Sequence, residues 1–447
     1  MIKKTNLKIF CSLEKKITNI MIEDNTFTCY LCGPTVYNHI HIGNLRPILF
    51  HDLITKYFLY LNTKVIFVHN ITDIDDKIVE RAKILGTTEQ EISKKYYYAY
   101  LNILKSFLIK RPTFLPKVTS NIKEIKIFIE KLVLKNACYF LKNDGVYFNV
   151  SNFKNYYFSL SKNKEEKLIS KESNKQSPLD FSVWKLKSDG KTWVSKFGKG
   201  RPGWHTECVV LIQKFFQKTP ISLHGGGIDL IFPHHENEII QNLALNNNKL
   251  SRNWIHFGLI NFNHQKMSKS KNNFWYAKDF LTKYDQKVLR FFYFEKNYKI
   301  PLNVSFERLD EIKDLFLTWQ KIFNCLNFFD YFLKSKKIKV SSTDFFKEII
   351  SFFENNLNTA KIIDYLINLN KKIKKLLSLN QYENALSYFK DLKKTYIFLG
   401  FDFKSKKYFK NDIKLVLEWK FLLKEKKYKL ADNIRKLLKE KDILLIF

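Results

Sequence analysis

Dense cysteine, long apolar runs and a balancing share of acid are all missing from this chain. Its six cysteines, Cys11, Cys29, Cys32, Cys138, Cys208 and Cys325, are too sparse in 447 residues for a disulfide scaffold, which fits a reducing compartment. No apolar stretch is long enough to span a bilayer, and Met1 to Phe10 has lysines but no apolar core of a signal peptide. A soluble, cytoplasmic protein with no membrane partner is expected. Acid is short: Lys+Arg number 77 against 43 Asp+Glu, leaving +34. A nucleic-acid partner would explain that excess. So would compositional drift, since Lys, Asn, Ile, Phe and Tyr are abundant everywhere, Gly and Pro are scarce, and the positive charge is spread instead of clustered.

What is present is enough chain for several domains, roughly three or four. The β-like run Thr26 to Leu31 leads through Cys32-Gly33-Pro34-Thr35-Val36-Tyr37-Asn38-His39-Ile40-His41-Ile42-Gly43-Asn44 into a helical pattern from about Leu45 to Leu61. A strand, a glycine-containing turn and a helix N-terminus together favour phosphate. The strand-like Lys64 to Asn70 completes a parallel crossover, so the first hundred or so residues are predicted to be doubly wound. At its end, Thr72 is placed to meet a ligand, whereas Asp73, Asp75 and Asp76 are read as caps of the helix that follows.

Between about Arg111 and Lys199 the pattern changes. A helix over Asn121 to Lys135 precedes two aromatic, alternating runs joined by Asp144-Gly145, a hairpin signal, and the lysine-rich Ser161 to Gln176 reads as an exposed loop. This block looks inserted into the parallel sheet.

Chemistry resumes after it. Gly203-Trp204-His205-Thr206-Glu207-Cys208 is followed by His224-Gly225-Gly226-Gly227-Ile228-Asp229, a short strand running into glycines that let backbone approach a ligand, with Asp229 able to take a ribose hydroxyl pair. The serine-hydrolase reading of His-Gly-Gly-Gly fails for want of a G-x-S-x-G elbow. On the helix opening at His234-His235-Glu236-Asn237-Glu238, positions four apart share a face, so His234 and Glu238 can converge while His235 and Glu236 point elsewhere. If Cys32 and Cys208 lie at the mouth of the same sheet, these four make a Zn²⁺ shell. The Cys29-x-x-Cys32 pair is a weaker candidate, because residues three apart on a strand face opposite sides. After a strand-like run from Trp254 to Ile260, Lys266-Met267-Ser268-Lys269-Ser270 suits either a mobile polyphosphate clamp or an ordinary basic loop.

Taken together, His41-Ile42-Gly43-Asn44 and Lys266 to Ser270 resemble the two signature motifs of class I aminoacyl-tRNA synthetases. The candidate metal ligands, Gly203 to Cys208, His224 to Asp229 and Asn70 to Lys77 narrow the resemblance to the cysteinyl-tRNA synthetase family, over about Leu7 to Leu445. The resemblance implies one zinc on Cys32, Cys208, His234 and Glu238, and an amino-acid pocket of Gly33, Thr35, Thr72 and Trp204. It implies ATP, with Mg²⁺, on His41, Gly43, Asn44, Gly225, Gly226, Gly227 and Asp229, and pyrophosphate on Lys266 and Lys269. His41, Asn44, Lys266 and Lys269 would be the catalytic set, with tRNA(Cys) and L-cysteine as partners of a monomer. The expected architecture is a Rossmann-like doubly wound parallel sheet with an inserted α+β connective domain, followed by a C-terminal helical bundle. Its expected parts are 1–110 and 200–258 for the catalytic domain, 111–199 for the insertion, 259–304 for the lysine loop and stem-contact region, and 305–447 for a shortened anticodon-binding region. Asn44 replaces the histidine that usually ends the first signature, and Lys271-Asn272-Asn273 replaces Leu-Gly-Asn after the second. A ligase joining cysteine to a small-molecule amine and an inactive RNA-binding paralogue remain as alternative functions.

Overall fold

The computed structural model describes residues 1–151, 153, 175–262, 265–266 and 274–444. Two compact units emerge, one of Met1–Lys283 with Tyr298–Asn303 and one of Tyr284–Asn297 with Val304–Phe447. No helix among the described residues is long and apolar enough to cross a membrane.

The first unit is built on a mixed sheet. β1 (Ile2–Cys11) and β2 (Lys16–Glu23) form an antiparallel hairpin beside β3 (Thr26–Leu31). β3 runs parallel to β4 (Lys64–His69), and α1 (Ile42–Tyr60) supplies the predicted crossover between them. α2 (Asp76–Leu85) and α3 (Glu89–Ser106) follow β4. After α4 (Ile122–Leu134), the inserted block forms a separate antiparallel sheet of β5 (Cys138–Leu141), β6 (Gly145–Phe148), β7 (Phe181–Leu186) and β8 (Gly200–Pro202). The chain returns through α5 (Trp204–Phe216) to β9 (Ile221–Gly227), parallel to β3. α6 (Glu236–Asn246) then leads to β10 (Ser251–Phe257), parallel to β9.

The insertion shares its core with the parallel sheet. Val146, Phe148 and Trp184 belong to the same buried cluster as Tyr30, Val68, Leu211, Ile240 and Trp254, with Ile125 and Ile129 of α4 between. Burying these large side chains is the main stabilising term for that face of the sheet, about 1.5–3 kcal/mol for each fully buried one.

Four sequence expectations change. The glycines at 225–227 lie inside β9 instead of after it. Trp254 to Ile260 is divided, with β10 ending at Phe257 and a new strand over Ile260–Phe262. Asp75 does cap α2, accepting from the Lys77 N–H at 2.8 Å, but Asp73 and Asp76 do not. Asp73 accepts from the Thr119 N–H at 2.9 Å and from its hydroxyl, and Asp76 pairs with Lys185 and Arg201, so both tie the insertion to the sheet. Of the loop predicted over Ser161 to Gln176, all but the last two residues lie outside the described residues.

The second unit is helical. Ser305 Oγ accepts from the Arg308 N–H and caps a helix over Phe306–Ser335, the longest of the set that includes Thr359–Ser378, Lys410–Lys424 and Tyr428–Glu440. Its core is aromatic: Trp319 stacks on Tyr396 at 5.8 Å and on Phe316 edge-to-face at 5.5 Å, with Phe401 and Phe403 closing the group.

Candidate active site

The C-terminal ends of β3, β4 and β9 meet the N-termini of α1, α5 and α6, the usual ligand position in open parallel sheets. Cys32 follows β3 directly, Cys208 sits one turn into α5, and His234 and Glu238 flank the start of α6. The structure brings all four together, with ligand atoms within 4.8 Å of one another. Cys32 Sγ lies 3.7 Å from Cys208 Sγ and 3.6 Å from Glu238 Oε1, Cys208 Sγ lies 3.6 Å from His234 Nε2, and His234 Nε2 lies 2.9 Å from Glu238 Oε1. A tetrahedral zinc with ordinary bond lengths separates two sulfurs by about 3.8 Å and a nitrogen from an oxygen by about 3.3 Å. The donor set therefore fits that ion without rearrangement of the backbone.

A supporting layer orients these four side chains. His224 Nε2 donates to Glu238 Oε2 at 2.7 Å, leaving Oε1 for the centre, and His205 Nδ1 lies 3.1 Å from His234 Nδ1. Trp254 stacks on His224 at 4.3 Å, and Trp204 on His234 at 4.3 Å. Burial opposes charge on Glu238, yet His224 and His234 beside it hold its carboxyl well below the usual range. Burial likewise opposes charge on His234, and Glu238 overrides it, raising the imidazole to about 10. Burial and the neighbouring Cys208 and Glu238 push the Cys32 thiol up; against its own burial, hydrogen bonds with Cys32 and His234 bring Cys208 down to about 6. Two thiols and a carboxylate this close cannot all carry charge in a dry pocket without a cation to compensate them.

His235 departs from the expectation that it points away. Its Nε2 lies 3.4 Å from Cys32 Sγ, and Cys32, His224, His235 and Glu238 form a second converging set. The reason is local: Ile231–His235 makes a wide π-type turn with Phe232 extended (φ −122°, ψ 130°), so the even angular spacing of an α-helix does not apply there. His235 Nδ1 is in turn 2.7 Å from His256 Nε2.

A cleft of about 380 Å³ opens beside this cluster. Among its lining residues are Cys32, Gly33, Thr35, His41, Gly43, Asn44, Trp204, Gly226, Gly227 and Asp229, ten of the positions expected from sequence. The His41 N–H donates to Asn44 Oδ1 at 3.1 Å, so Asn44 organises the first turn of α1 at the cleft wall. Gly33 leaves no room for a side chain, because a Cβ there would lie 1.6 Å from the Asn70 carbonyl oxygen. Thr72 and Gly225 stand behind the wall: the Thr72 hydroxyl donates to Glu207 Oε2 and accepts from Asn70 Nδ2, each at 3.2 Å. Lys266 belongs to a short strand, Gln265–Lys266, paired with Ile260–Phe262. Lys269, with the rest of the lysine-rich motif, lies outside the described residues.

Sequence reasoning missed Asn70, whose Oδ1 accepts from the Gly33 N–H at 2.7 Å, as well as His224 and His256 as supports. For Asn70 the available signal was its place at the carboxyl end of a parallel strand.

The family described as tRNA synthetases class I (C) catalytic domain matches residues 18–314. The chain belongs to this family of class I aminoacyl-tRNA synthetases. It is 40% identical to a cysteine–tRNA ligase of Mycoplasma mycoides subsp. mycoides SC, over 98% of this chain and 100% of that one. It is 38% identical to a cysteine–tRNA ligase of Malacoplasma penetrans, over the same shares. Among solved structures, a Mycobacterium tuberculosis methionyl-tRNA synthetase in complex with methionyl-adenylate superposes with a TM-score of 0.64 at 12% identity. That match covers 83% of this chain and 90% of the other, and shows the class I fold.

Proposed function

We propose that this enzyme ligates L-cysteine to tRNA(Cys) at the expense of ATP, as a cytoplasmic monomer. The observation that carries the reading is the convergence of Cys32, Cys208, His234 and Glu238 beside a cleft that Cys32 and the N-terminus of α1 both line. Serine differs from cysteine by one atom, and shape alone discriminates poorly between such near-isosteres. Zinc held by these four side chains would supply the missing selection, because a borderline-soft cation takes a thiolate in preference to a hydroxyl.

The chain's own residues do the rest. Trp204, stacked on His234, closes the amino-acid end of the cleft, and Gly33 and Thr35 line it with backbone and hydroxyl. The helix dipole and first-turn amides of α1, with His41, Gly43 and Asn44, hold ATP phosphates. Gly226, Gly227 and Asp229 receive the adenosine, with Mg²⁺ accompanying the nucleotide. The cysteine carboxylate attacks the α-phosphate to form cysteinyl adenylate, pyrophosphate leaves toward Lys266 and Lys269, and a hydroxyl of the terminal ribose of tRNA then takes the cysteinyl group, releasing AMP. No enzyme nucleophile takes part; the acceleration comes from positioning and from charge placed where the leaving group develops.

The test is cysteine-dependent ATP–pyrophosphate exchange followed by charging of tRNA with cysteine or serine, with and without zinc. Exchange and charging with cysteine alone are expected. Exchange without tRNA charging would point to a small-molecule amine as acceptor, and absence of both would leave an RNA-binding protein.

A further inference from the structure

One buried polar pair on the cleft wall is not used by the mechanism above. His69 ends β4 and Tyr100 lies on α3, and both line the cleft. His69 Nδ1 is 2.8 Å from the Leu31 carbonyl oxygen, and His69 Nε2 is 2.6 Å from Tyr100 Oη. A carbonyl oxygen only accepts, so Nδ1 carries the proton that joins them. Burial lowers His69 to about 4, which keeps the ring neutral and leaves Nε2 with a lone pair and no proton. The single proton of the Tyr100 hydroxyl must then point at His69. Its oxygen is left as an acceptor only, fixed in direction through His69 to the backbone of the residue before Cys32.

We infer that Tyr100 is a specificity-determining residue of the cleft, its oxygen accepting a hydrogen bond from a donor on the bound substrate, an ammonium N–H or a ribose hydroxyl. Elsewhere on the cleft wall, His41, Lys77 and the amides at the start of α1 offer donors to anionic groups, and Asp229 offers a carboxylate acceptor. An acceptor that cannot reorient to donate complements those donors, and it penalises a ligand lacking the matching donor, since that oxygen would then be left buried and unpaired. The inference rests on the proposed cysteine-activating function for the identity of the substrates, but not for the proton arrangement.

Two measurements test it. Long-range proton–nitrogen NMR of histidine-labelled, substrate-free protein is expected to show His69 with Nδ1 protonated and Nε2 bare; the opposite tautomer would overturn the inference whatever the enzyme's substrates. Tyr100→Phe removes one oxygen from a packed ring, and in pyrophosphate exchange it is expected to raise one KM by about tenfold, the usual worth of a hydrogen bond to a charged or well-aligned donor. A rise for cysteine, with unchanged inhibition by 3-mercaptopropionate, which lacks the amine, assigns the contact to the ammonium. A rise confined to ATP assigns it to the ribose. Unchanged KM values for both substrates, even with a lowered melting temperature, would make Tyr100 structural and sink the inference. Wild-type protein without any exchange would instead count against the proposed function, with the NMR result still deciding the tautomer.

Discussion

The two units bury different chemistry. In the catalytic unit, His224, His234, His235 and Glu238 are all at most 1% exposed and gather around two thiols. In the helical unit the comparable volume holds Phe316, Trp319, Phe323, Tyr396 and Phe401, and its few buried carboxylates, Asp391 and Asp412, each have a lysine partner. Apolar burial stabilises a fold directly, whereas a buried ionic cluster repays its desolvation only in part. The first unit therefore accepts a cost at the sheet mouth that the second avoids, and the natural beneficiary of that cost is a bound cation.

The sharpest way to break this contrast is Cys208→Ala. If the cluster is a metal site, zinc content should fall from one per chain to none, and cysteine-dependent exchange by at least about 10³-fold, since structural and catalytic sites of this kind tolerate no missing ligand. Metal analysis of protein purified without chelators, beside exchange kinetics, checks both; full zinc occupancy in the variant would disprove the assignment. The counterpart in the helical unit is Trp319→Ala. Removing a side chain that is 2% exposed and packed against Phe316 and Tyr396 should cost about 3–5 kcal/mol of stability, read from denaturant unfolding. Exchange kinetics well below the transition should be unchanged. A loss of exchange there would mean that the two units do not divide stability and chemistry as their interiors suggest.

How legible each unit was in the sequence follows from the same difference. β3, β4 and the crossover helix were readable because apolar periodicity is a local property, and so was the Asp144-Gly145 hairpin, where Asn143 adopts positive φ at 66°. The convergence of Cys32, Cys208, His234 and Glu238 was readable because two of them are four apart across the start of α6 and the others sit at strand and helix ends. His235 was not, since an α-helical angle was assumed where the chain makes a wider turn. The roles of Asp73 and Asp76 were not either: a carboxylate at a helix start has the same sequence signature whether it caps locally or binds Thr119 or Arg201 from a distant segment. The β1–β2 hairpin went unread because alternation is the sole strand signal it carries, without a glycine turn between the strands, and it takes the neighbouring sheet to give one face something to bury against.

The smallest expected effect lies in the helical unit and concerns acid. Asp412 Oδ2 accepts from the Phe409 N–H at 2.9 Å, and Oδ1 meets Lys441 Nζ at 2.7 Å, joining the two C-terminal helices. Burial alone would raise its pKa, but the Lys441 ammonium and the Phe409 amide outweigh it and hold the carboxyl below its ordinary value. A carboxyl whose pKa is lower folded than unfolded contributes stability that is complete above its unfolded value, near 4, and is lost as pH falls through the folded one. Asp412→Asn should therefore cost about 1 kcal/mol at pH 7 and almost nothing at pH 2, so that the stability curves of variant and parent converge in acid. Parallel curves from pH 7 to pH 2 would show that the amide keeps whatever the carboxylate supplies, and that the charge on this buried acid, unlike the charges around Cys208, contributes nothing.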